Sequence, residues 1–205
     1  MALFITFEGG EGSGKSVQTK ELYKKLLELD IPVILTHEPG GTPFGNKVER
    51  WLKWTEIKEI SFMAELLLFN ASRAQLVSDV IRPNLVTGKI IICDRFSDST
   101  IAYQGYGRGL DLKTVELINN TATAGLKPDL TILLDIPVNE GLARKDKQKK
   151  DRFEQEDMAF HQRVRDGFLK LAANDPERWF IVDTRLSEIQ VREIIWQKVN
   201  QLLLK

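Results

Sequence analysis

A glycine-rich segment near the start of the chain restricts the fold more than any other feature of the sequence. Residues 9–16 read Gly-Gly-Glu-Gly-Ser-Gly-Lys-Ser, between the apolar run Leu3 to Phe7 and the helix-like segment Val17 to Leu29. This is the Walker A pattern in the strand, loop and helix context that it requires. The sequence therefore predicts a P-loop, in which a buried strand leads through a phosphate-binding loop into a helix.

The residues of this loop have predicted roles in holding a nucleoside triphosphate. The glycines let backbone amides turn towards phosphate oxygens, and the start of the helix adds positive potential. Lys15 is predicted to reach the β and γ phosphates, and Ser16 to ligate Mg²⁺. The predicted ATP-binding residues of the loop are Gly9, Gly10, Glu11, Gly12, Ser13, Gly14, Lys15 and Ser16. The loop alone leaves open a GTPase switch, an ATPase motor and a small-molecule kinase.

Further apolar runs along the chain predict the rest of the sheet. The five predicted strands are Leu3 to Phe7, Pro32 to Thr36, Ile90 to Cys93, Leu130 to Leu134 and Trp179 to Val182. Segments with helical spacing lie between them, which favours an α/β fold with a parallel sheet and helices on both faces. The length of 205 residues fits one domain over residues 1–205.

Composition excludes several classes of protein. Lys plus Arg and Asp plus Glu each total 29, so no global positive field favours a nucleic-acid partner. No apolar run reaches the roughly 20 residues of a membrane helix. The single cysteine, Cys93, follows three isoleucines and is predicted to be buried and reduced. We therefore expect a cytoplasmic protein with no membrane partner and with a local anion site.

An acidic and a basic residue follow the third predicted strand. Asp94 and Arg95 come directly after Cys93, at the edge of the sheet where the P-loop also lies. Such an arginine can bridge donor and acceptor phosphates, and such an aspartate can hold Mg²⁺-bound water. We interpret both as catalytic, with a pair that only caps the strand end as the structural alternative. No Asn-Lys-x-Asp guanine-binding segment is present, which disfavours a GTPase.

A predicted helix, Met63 to Val80, carries a candidate pocket for a base. Phe69 and Arg73 are four residues apart and therefore lie on one face. An aromatic ring can stack on a pyrimidine while an arginine donates to its carbonyl oxygen. Spacing alone favours a phenylalanine that packs in the core, because apolar stripes on helices usually do.

Several motifs in order give the chain a specific resemblance. They are Phe4 to Gly9 before the loop, Glu38 to Thr42, Phe69 to Arg73, Asp94 to Phe96, Ala102 to Gly105, and Lys127 to Leu130. With these motifs the chain resembles the thymidylate kinase family, in its bacterial form with a lid arginine, over nearly its whole length. The resemblance implies a P-loop nucleoside-monophosphate-kinase fold, a five-stranded parallel sheet flanked by helices with a short lid segment. It also implies ATP and dTMP as substrates, Mg²⁺ as cofactor and a homodimer.

The resemblance also implies roles for residues at the acceptor site. Phe69 would stack on thymine, while Arg73 and Gln104 would hydrogen-bond to the base edge, with Arg50 as a further contact. Tyr103 would crowd the 2′ position of the sugar. Five further residues are predicted to contact or line the rest of the dTMP site: Glu11 at the 3′-hydroxyl, Arg95 at the acceptor phosphate, Glu38 at the monophosphate, and Ser99 and Thr100 along the pocket.

The charged segment Arg144 to Arg152 corresponds to the lid of that family. Arg144 would lie over adenine. Some relatives carry an arginine where this chain has Gly12, and in those without it a lid arginine contacts the γ-phosphoryl group. We therefore predict Arg152 as a catalytic residue, with Lys149 as the second candidate. Two departures from the family pattern are His37, where arginine is common, and an unusual spacing before Arg152.

Two alternatives to a dTMP kinase remain at this point. The first is another P-loop nucleotide or deoxynucleoside kinase, for example one that acts on uridylate. The second is a noncatalytic nucleotide-dependent interaction module that uses the P-loop as a switch. The apolar residues Trp51, Trp54, Phe62 and Leu66 to Leu68 exceed what one helix face usually buries, which favours a homodimer over simple core packing.

Overall fold

Five parallel strands form the central sheet in the computed structural model, which describes residues 2–54, 60–145 and 151–204. Their spatial order is β2-β3-β1-β4-β5, and every neighbouring pair is parallel. The strands are β1 Leu3–Glu8, β2 Val33–His37, β3 Ile90–Asp94, β4 Leu130–Asp135 and β5 Trp179–Asp183. The predicted α/β fold with a five-stranded parallel sheet is therefore confirmed.

Each strand ends one residue later than the apolar runs predicted. The added residues are all polar or charged: Glu8, His37, Asp94, Asp135 and Asp183. An apolar criterion stops before such a residue, although the backbone continues to pair in the sheet. Because all strands are parallel, these polar ends lie together at one edge of the sheet.

Nine α-helices surround the sheet within the described ranges. They are α1 Lys15–Glu28, α2 Pro43–Trp54, α3 Phe62–Leu76, α4 Arg82–Val86, α5 Ser97–Thr100, α6 Leu112–Thr123, α7 Val138–Lys145, α8 Met158–Asn174 and α9 Glu188–Leu203. The predicted helix Met63 to Val80 corresponds to α3 and a π-helical turn, Val77–Ile81, and a second π-helical turn, Ile101–Gly107, follows α5. None of these helices is long and apolar enough to cross a bilayer.

Alternate residues of the strands point to opposite faces of the sheet, and both faces are covered. On β3, Ile90 and Ile92 pack with residues of α1 and α9, whereas Ile91 and Cys93 pack towards α3. A strand buried on both sides reads as a continuous apolar run, which is why the sequence revealed it. Cys93 is fully buried, as predicted. Helix α9 begins with the capping box that Ser187 and Gln190 form.

Candidate active site

A cleft of about 580 Å³ opens at the edge of the sheet where the strands end. Its volume lies in the usual range for small-molecule sites. It brings together most of the predicted site residues: Glu11, Gly12, Ser13, Gly14, Lys15, Ser16, Glu38, Phe69, Arg73, Asp94, Arg95, Ser99, Thr100, Tyr103, Gln104 and Arg144. The cleft is therefore continuous from the P-loop to the candidate base pocket.

The P-loop joins β1 to α1 in the geometry that its glycines permit. Gly12 has a φ of 69°, and a Cβ atom there would lie 1.9 Å from the carbonyl oxygen of Gly141 in α7. A Cβ at Gly9 would lie 2.4 Å from the carbonyl oxygen of Leu134. Side chains are thus excluded at both positions, because the loop packs against the backbone of neighbouring elements.

Lys15 lies beneath the loop with its ammonium group directed at loop oxygens. Its Nζ donates to the carbonyl oxygens of Gly9, at 3.0 Å, and Gly10, at 2.8 Å, and to Oγ of Ser13, at 3.2 Å. Burial, followed by the guanidinium of Arg95, lowers the pKa of Lys15 to about 8. The side chain is therefore held at the loop and is destabilised as a cation until an anion arrives.

Ser16 and Asp94 meet at the mouth of the loop. The Ser16 hydroxyl donates to Oδ2 of Asp94 at 2.6 Å. Hydroxyl and carboxylate oxygens are ligands that Mg²⁺ prefers, and a P-loop serine is its usual protein ligand beside a triphosphate. In the same cleft, Oε1 of Glu38 is buried without a hydrogen-bond partner among the described residues. The oxygens present therefore fit the predicted magnesium ion.

Arg95 occupies an unusual backbone conformation that directs its side chain across the cleft. Its φ is 71°, in the left-handed region that non-glycine residues rarely adopt. Its guanidinium donates to the Gly9 carbonyl oxygen and to the hydroxyls of Ser99 and Tyr103, and it pairs with Glu11. A strained backbone held by this many contacts is typical of a functional position.

Glu11, Arg95 and Tyr103 form a compact charged cluster between the P-loop and the π-helical turn Ile101–Gly107. Oε1 of Glu11 accepts from Arg95 at 3.0 Å and from the Tyr103 hydroxyl at 2.7 Å. Lys145, at the end of α7, donates to the other oxygen at 3.1 Å. Burial would raise the pKa of Glu11, but the three cations Arg95, Lys15 and Lys145 together hold it well below its usual range. Glu11 therefore carries a fixed negative charge in a cationic surrounding.

Glu8, the last residue of β1, holds the segment that follows β3. Oε1 accepts from the backbone amides of Phe96, at 2.8 Å, and Ser99, at 3.3 Å, and Oε2 accepts from the Ser99 hydroxyl at 2.5 Å. Burial and the nearby charge of Asp98 raise the pKa of Glu8 from 4.5 to about 8. These bonds fix the turn that positions Arg95.

We expect Glu8→Gln to flatten the pH dependence of stability. Between 4.5 and about 8 the folded state holds a proton that the unfolded chain has released, so the free energy of unfolding falls as pH rises through that window. The slope from this group is at most about 1.4 kcal/mol per pH unit. Glutamine keeps the acceptor and does not titrate. Chemical denaturation between about pH 5 and about pH 8 measures the difference, and parallel curves for the two proteins would contradict it.

Arg73 and Glu38 form a buried ion pair behind the base pocket. Arg73 is 1% exposed, and its Nε donates to Glu38 Oε2 at 2.7 Å. Its remaining donors contact Asn70, Asn119, the Phe96 carbonyl oxygen and the Thr100 hydroxyl. All five N–H groups of the guanidinium are thus in use. A contact between Arg73 and a base, which remains a prediction, requires one of these bonds to be exchanged.

Aromatic rings and one amide form the far end of the cleft. Phe69 is partly buried, and its ring centroid lies 5.6 Å from that of Phe153 in the lid region. Gln104 is 1% exposed, and its Nε2 donates to Oε1 of Glu65 at 2.8 Å. A flat apolar surface next to an amide is suited to a heterocyclic base.

The described part of the lid places its cations at different distances from the loop. Arg144 donates to the carbonyl oxygens of Thr184, at 2.9 Å, and Gly12, at 3.5 Å, so it lies beside the P-loop. Arg152 does not line the cleft, because its guanidinium donates to the Leu52 carbonyl oxygen and to Oε2 of Glu65. Lys149 lies outside the described residues.

Some predicted residues are not brought into the cleft, and others were missed. Arg50, predicted for the dTMP site, is exposed on α2 and does not line the cleft. Leu66, predicted for the apolar dimer face, is fully buried and adds nothing to an exposed surface.

The sequence reasoning missed Glu65 and Arg108, which form a buried pair at 3.2 Å. The spacing that identified Phe69 and Arg73 also reaches Glu65, four residues earlier on the same face of α3.

Comparisons with known proteins agree with one another. A family model described as "Thymidylate kinase" matches residues 7–195. A curated thymidylate kinase of Dehalococcoides mccartyi, strain 195, is 57% identical over 203 residues, covering 99% of this chain and 98% of the relative. One of Roseiflexus sp. strain RS-1 is 48% identical, covering 91% and 88%. The crystal structure of thymidylate kinase from Ehrlichia chaffeensis superposes with a TM-score of 0.79 at 35% identity, covering 97% and 98%.

Proposed function

The chain belongs to the thymidylate kinase family, and on that premise we propose that it transfers the γ-phosphoryl group of ATP to dTMP, giving ADP and dTDP for dTTP synthesis. One structural observation supports this function. A single cleft joins a complete P-loop to a second pocket lined by Phe69 and Gln104. A noncatalytic switch needs no second base pocket, so this continuity favours an enzyme that aligns two nucleotides.

The reaction is an in-line displacement in which a phosphate oxygen of dTMP is the nucleophile. That oxygen forms a bond to the γ-phosphorus of ATP as the bond to the β–γ bridging oxygen breaks, and ADP leaves. The acceptor phosphate is largely ionised near neutral pH, so the protein needs no strong general base. Positioning and cationic charge supply the catalysis.

On the donor side we assign the triphosphate to the P-loop. The backbone amides from Gly9 to Ser16 would bind phosphate oxygens, and Lys15 would move from the loop carbonyls to the β and γ phosphates. Ser16 and Asp94 would hold Mg²⁺ directly and through water. When bound, Mg²⁺ neutralises phosphate charge. Arg144, which lies at the Gly12 carbonyl oxygen, would contact adenine at the outer side of the loop.

On the acceptor side the charged cluster would bind the sugar and phosphate. Arg95 is anchored at Gly9 and Ser99, which supports a role at the acceptor phosphate, close to the donor loop. The Glu11 carboxylate would face the 3′-hydroxyl. Tyr103, fixed to both charges at 3.0 and 2.7 Å, would limit the space at the 2′ position.

At the base, Phe69 and Gln104 have different roles: Phe69 would stack on the ring, and Gln104 would hydrogen-bond to its edge. Phe69 provides the apolar face, and Gln104 provides a polar group at the pyrimidine edge. Arg73 supports the pocket through Thr100 and Glu38, and a donor exchanged from one of its protein contacts would reach a carbonyl oxygen of the base.

We also propose the cytoplasm as the compartment, which the buried thiol of Cys93 supports.

A coupled assay of ADP release tests the function directly. The protein is mixed with Mg²⁺ and ATP, and the rate is followed with dTMP, UMP, thymidine or no acceptor. We expect turnover that depends on dTMP and that greatly exceeds the rate with the other acceptors. ADP release at the same rate without an acceptor would instead identify an ATPase, and a preference for UMP or thymidine would identify a different kinase.

We propose that the chain forms a homodimer through α2 and α3. On α3, the exposed positions Met63, Leu67, Ala71 and Ala74 are all apolar and repeat at helical spacing. On α2, Trp51 is 54% exposed. Helices α2 and α3 pack against each other, and we propose that these side chains form one surface. A second copy related by a twofold axis would cover it.

Light scattering at micromolar concentration measures the expected dimer mass. We expect Leu67→Glu to give a monomer, because a charge in the centre of a buried apolar contact is strongly unfavourable. Val86→Glu is a matched control, since Val86 is an exposed apolar residue on a different helix, α4. A monomeric mass for the unmodified protein, or a dimer that survives Leu67→Glu, would overturn the assignment.

A further inference from the structure

Glu65 is a fully buried carboxylate that the reaction scheme above does not use. It lies on α3 four residues before Phe69, and its exposure is 0%. Three side chains donate to it. Gln104 and Arg108 donate to Oε1 at 2.8 and 3.2 Å, and Arg152 donates to Oε2 at 2.6 Å. Two guanidinium groups compensate the buried charge, which explains how an acidic residue is tolerated in this position.

The contact with Glu65 determines which way the Gln104 amide faces. A carboxylate between two guanidinium groups accepts hydrogen bonds and does not donate them, so the NH₂ end of the amide must face it. The oxygen of Gln104 is then the end left for a ligand in the cleft that Gln104 lines. Among the described residues no donor contacts that oxygen, and it is not among the buried atoms that lack a partner.

We propose that Glu65 is a positioning residue that selects the base, by fixing Gln104 as a hydrogen-bond acceptor towards the cleft. An acceptor there matches a pyrimidine that carries a proton on N3, as thymine and uracil do. Cytosine presents a bare N3 lone pair, which repels the Gln104 oxygen. The inference rests on the proposed function. It adds that selection against dCMP originates at Glu65, which lies behind Gln104 and not in the lining of the cleft.

Two variants of Glu65 test this role through a specificity ratio. Glu65→Met removes the acceptor, and Glu65→Gln lets a side-chain amide face Gln104, so that in both the Gln104 amide is free to rotate. We expect kcat/KM for dTMP relative to dCMP to fall by about tenfold or more, chiefly through a higher KM for dTMP and a lower one for dCMP. The ratio cancels any common effect on phosphoryl transfer.

Glu156→Gln is the matched control. Glu156 pairs with the same Arg108, at 2.5 Å, whereas the side-chain amide of Gln104 donates to Glu65. We expect this variant to leave the dTMP to dCMP ratio within about twofold of wild type, because the Gln104 amide keeps its partner. If the Glu65 variants lower both substrates in equal proportion, or if Glu156→Gln changes the ratio equally, Glu65 has only a structural role. Wild-type enzyme inactive on dTMP would instead remove the proposed function itself.

A measurement on the wild-type protein covers the case in which Glu65 variants do not fold. In a ¹⁵N-labelled sample without nucleotide, the Gln104 side-chain amide, assigned by its loss in Gln104→Leu, should resonate away from free glutamine and exchange slowly with solvent. A signal at the free position with rapid exchange would show that Glu65 does not hold the amide, and would overturn the proposal.

Discussion

Replacement of Lys15 by alanine is expected to lower turnover by at least about 10³-fold, the size of effect associated with preorganised charges at a transferring phosphoryl group. The ammonium group is already buried at the loop, with a pKa lowered to about 8, so it gains an anionic partner when ATP binds. It contacts loop oxygens and not the apolar core. The fold should therefore tolerate its loss, at about 1 kcal/mol of unfolding free energy.

The control for this prediction is Lys20→Ala. Lys20 is exposed on the same helix, so its loss removes one positive charge from α1 without changing the cleft. Initial rates with ATP and dTMP, together with thermal unfolding of both variants, make the comparison. Near-normal turnover of folded Lys15→Ala protein would mean that the P-loop does not bind the donor phosphates.

Arg152→Ala is expected to lower kcat by at least about a hundredfold with little change in the KM for dTMP, as for a contact made chiefly in the transition state. Arginine fingers contribute on the order of 10³ to 10⁵ in kcat, because a planar guanidinium donates to two transferring oxygens. In the structure Arg152 donates to Glu65 and to the Leu52 carbonyl oxygen, and it lies over the Phe153 ring. The prediction therefore requires that lid closure transfers it from Glu65 to the phosphoryl group.

Lys145→Ala provides the comparison within the described part of the lid. Lys145 already faces Glu11 and Glu154 in the cleft, and its ammonium group lacks the forked geometry of a guanidinium. Its loss should be much milder than that of Arg152. Single-turnover rates for both variants decide the ranking. If Lys145→Ala proves the more severe, the lid supplies its charge through lysine, and Arg152 serves to hold the lid on Glu65.

The sheet was predictable from sequence because its three central strands, β1, β3 and β4, are buried on both faces. A run such as Ile90 to Cys93 contains no polar residue, which is the pattern of a strand covered on both faces. The strand ends were predicted less well, since Glu8 and Asp94 extend their strands as polar residues that serve the site. Among the five polar strand ends, His37 and Asp94 line the cleft, and Glu8 holds the segment that positions Arg95.

The site was predictable where a local motif dictates geometry and not where remote segments meet. Lys15 and Ser16 follow from the loop itself. Glu65 and Arg108 are 43 positions apart in the sequence, so no local spacing predicts that they pair. Nor could sequence indicate that Arg73 is saturated by five protein contacts, because its partners come from α3, α6, the Glu38 loop and the segment after β3.

The close approach of Gly12 to Gly141 limits the routes by which this enzyme can evolve. If Arg152 of the lid supplies the catalytic cation, as predicted above, a lineage that moved this cation into the P-loop would have to place a side chain at residue 12, where even a methyl group overlaps the carbonyl of α7. The first step would be deleterious unless α7 had already shifted. Because the two glycines are in contact, a side chain at residue 12 requires compensating substitutions in α7. The position of the cation can therefore change only through coupled substitutions in two separate elements.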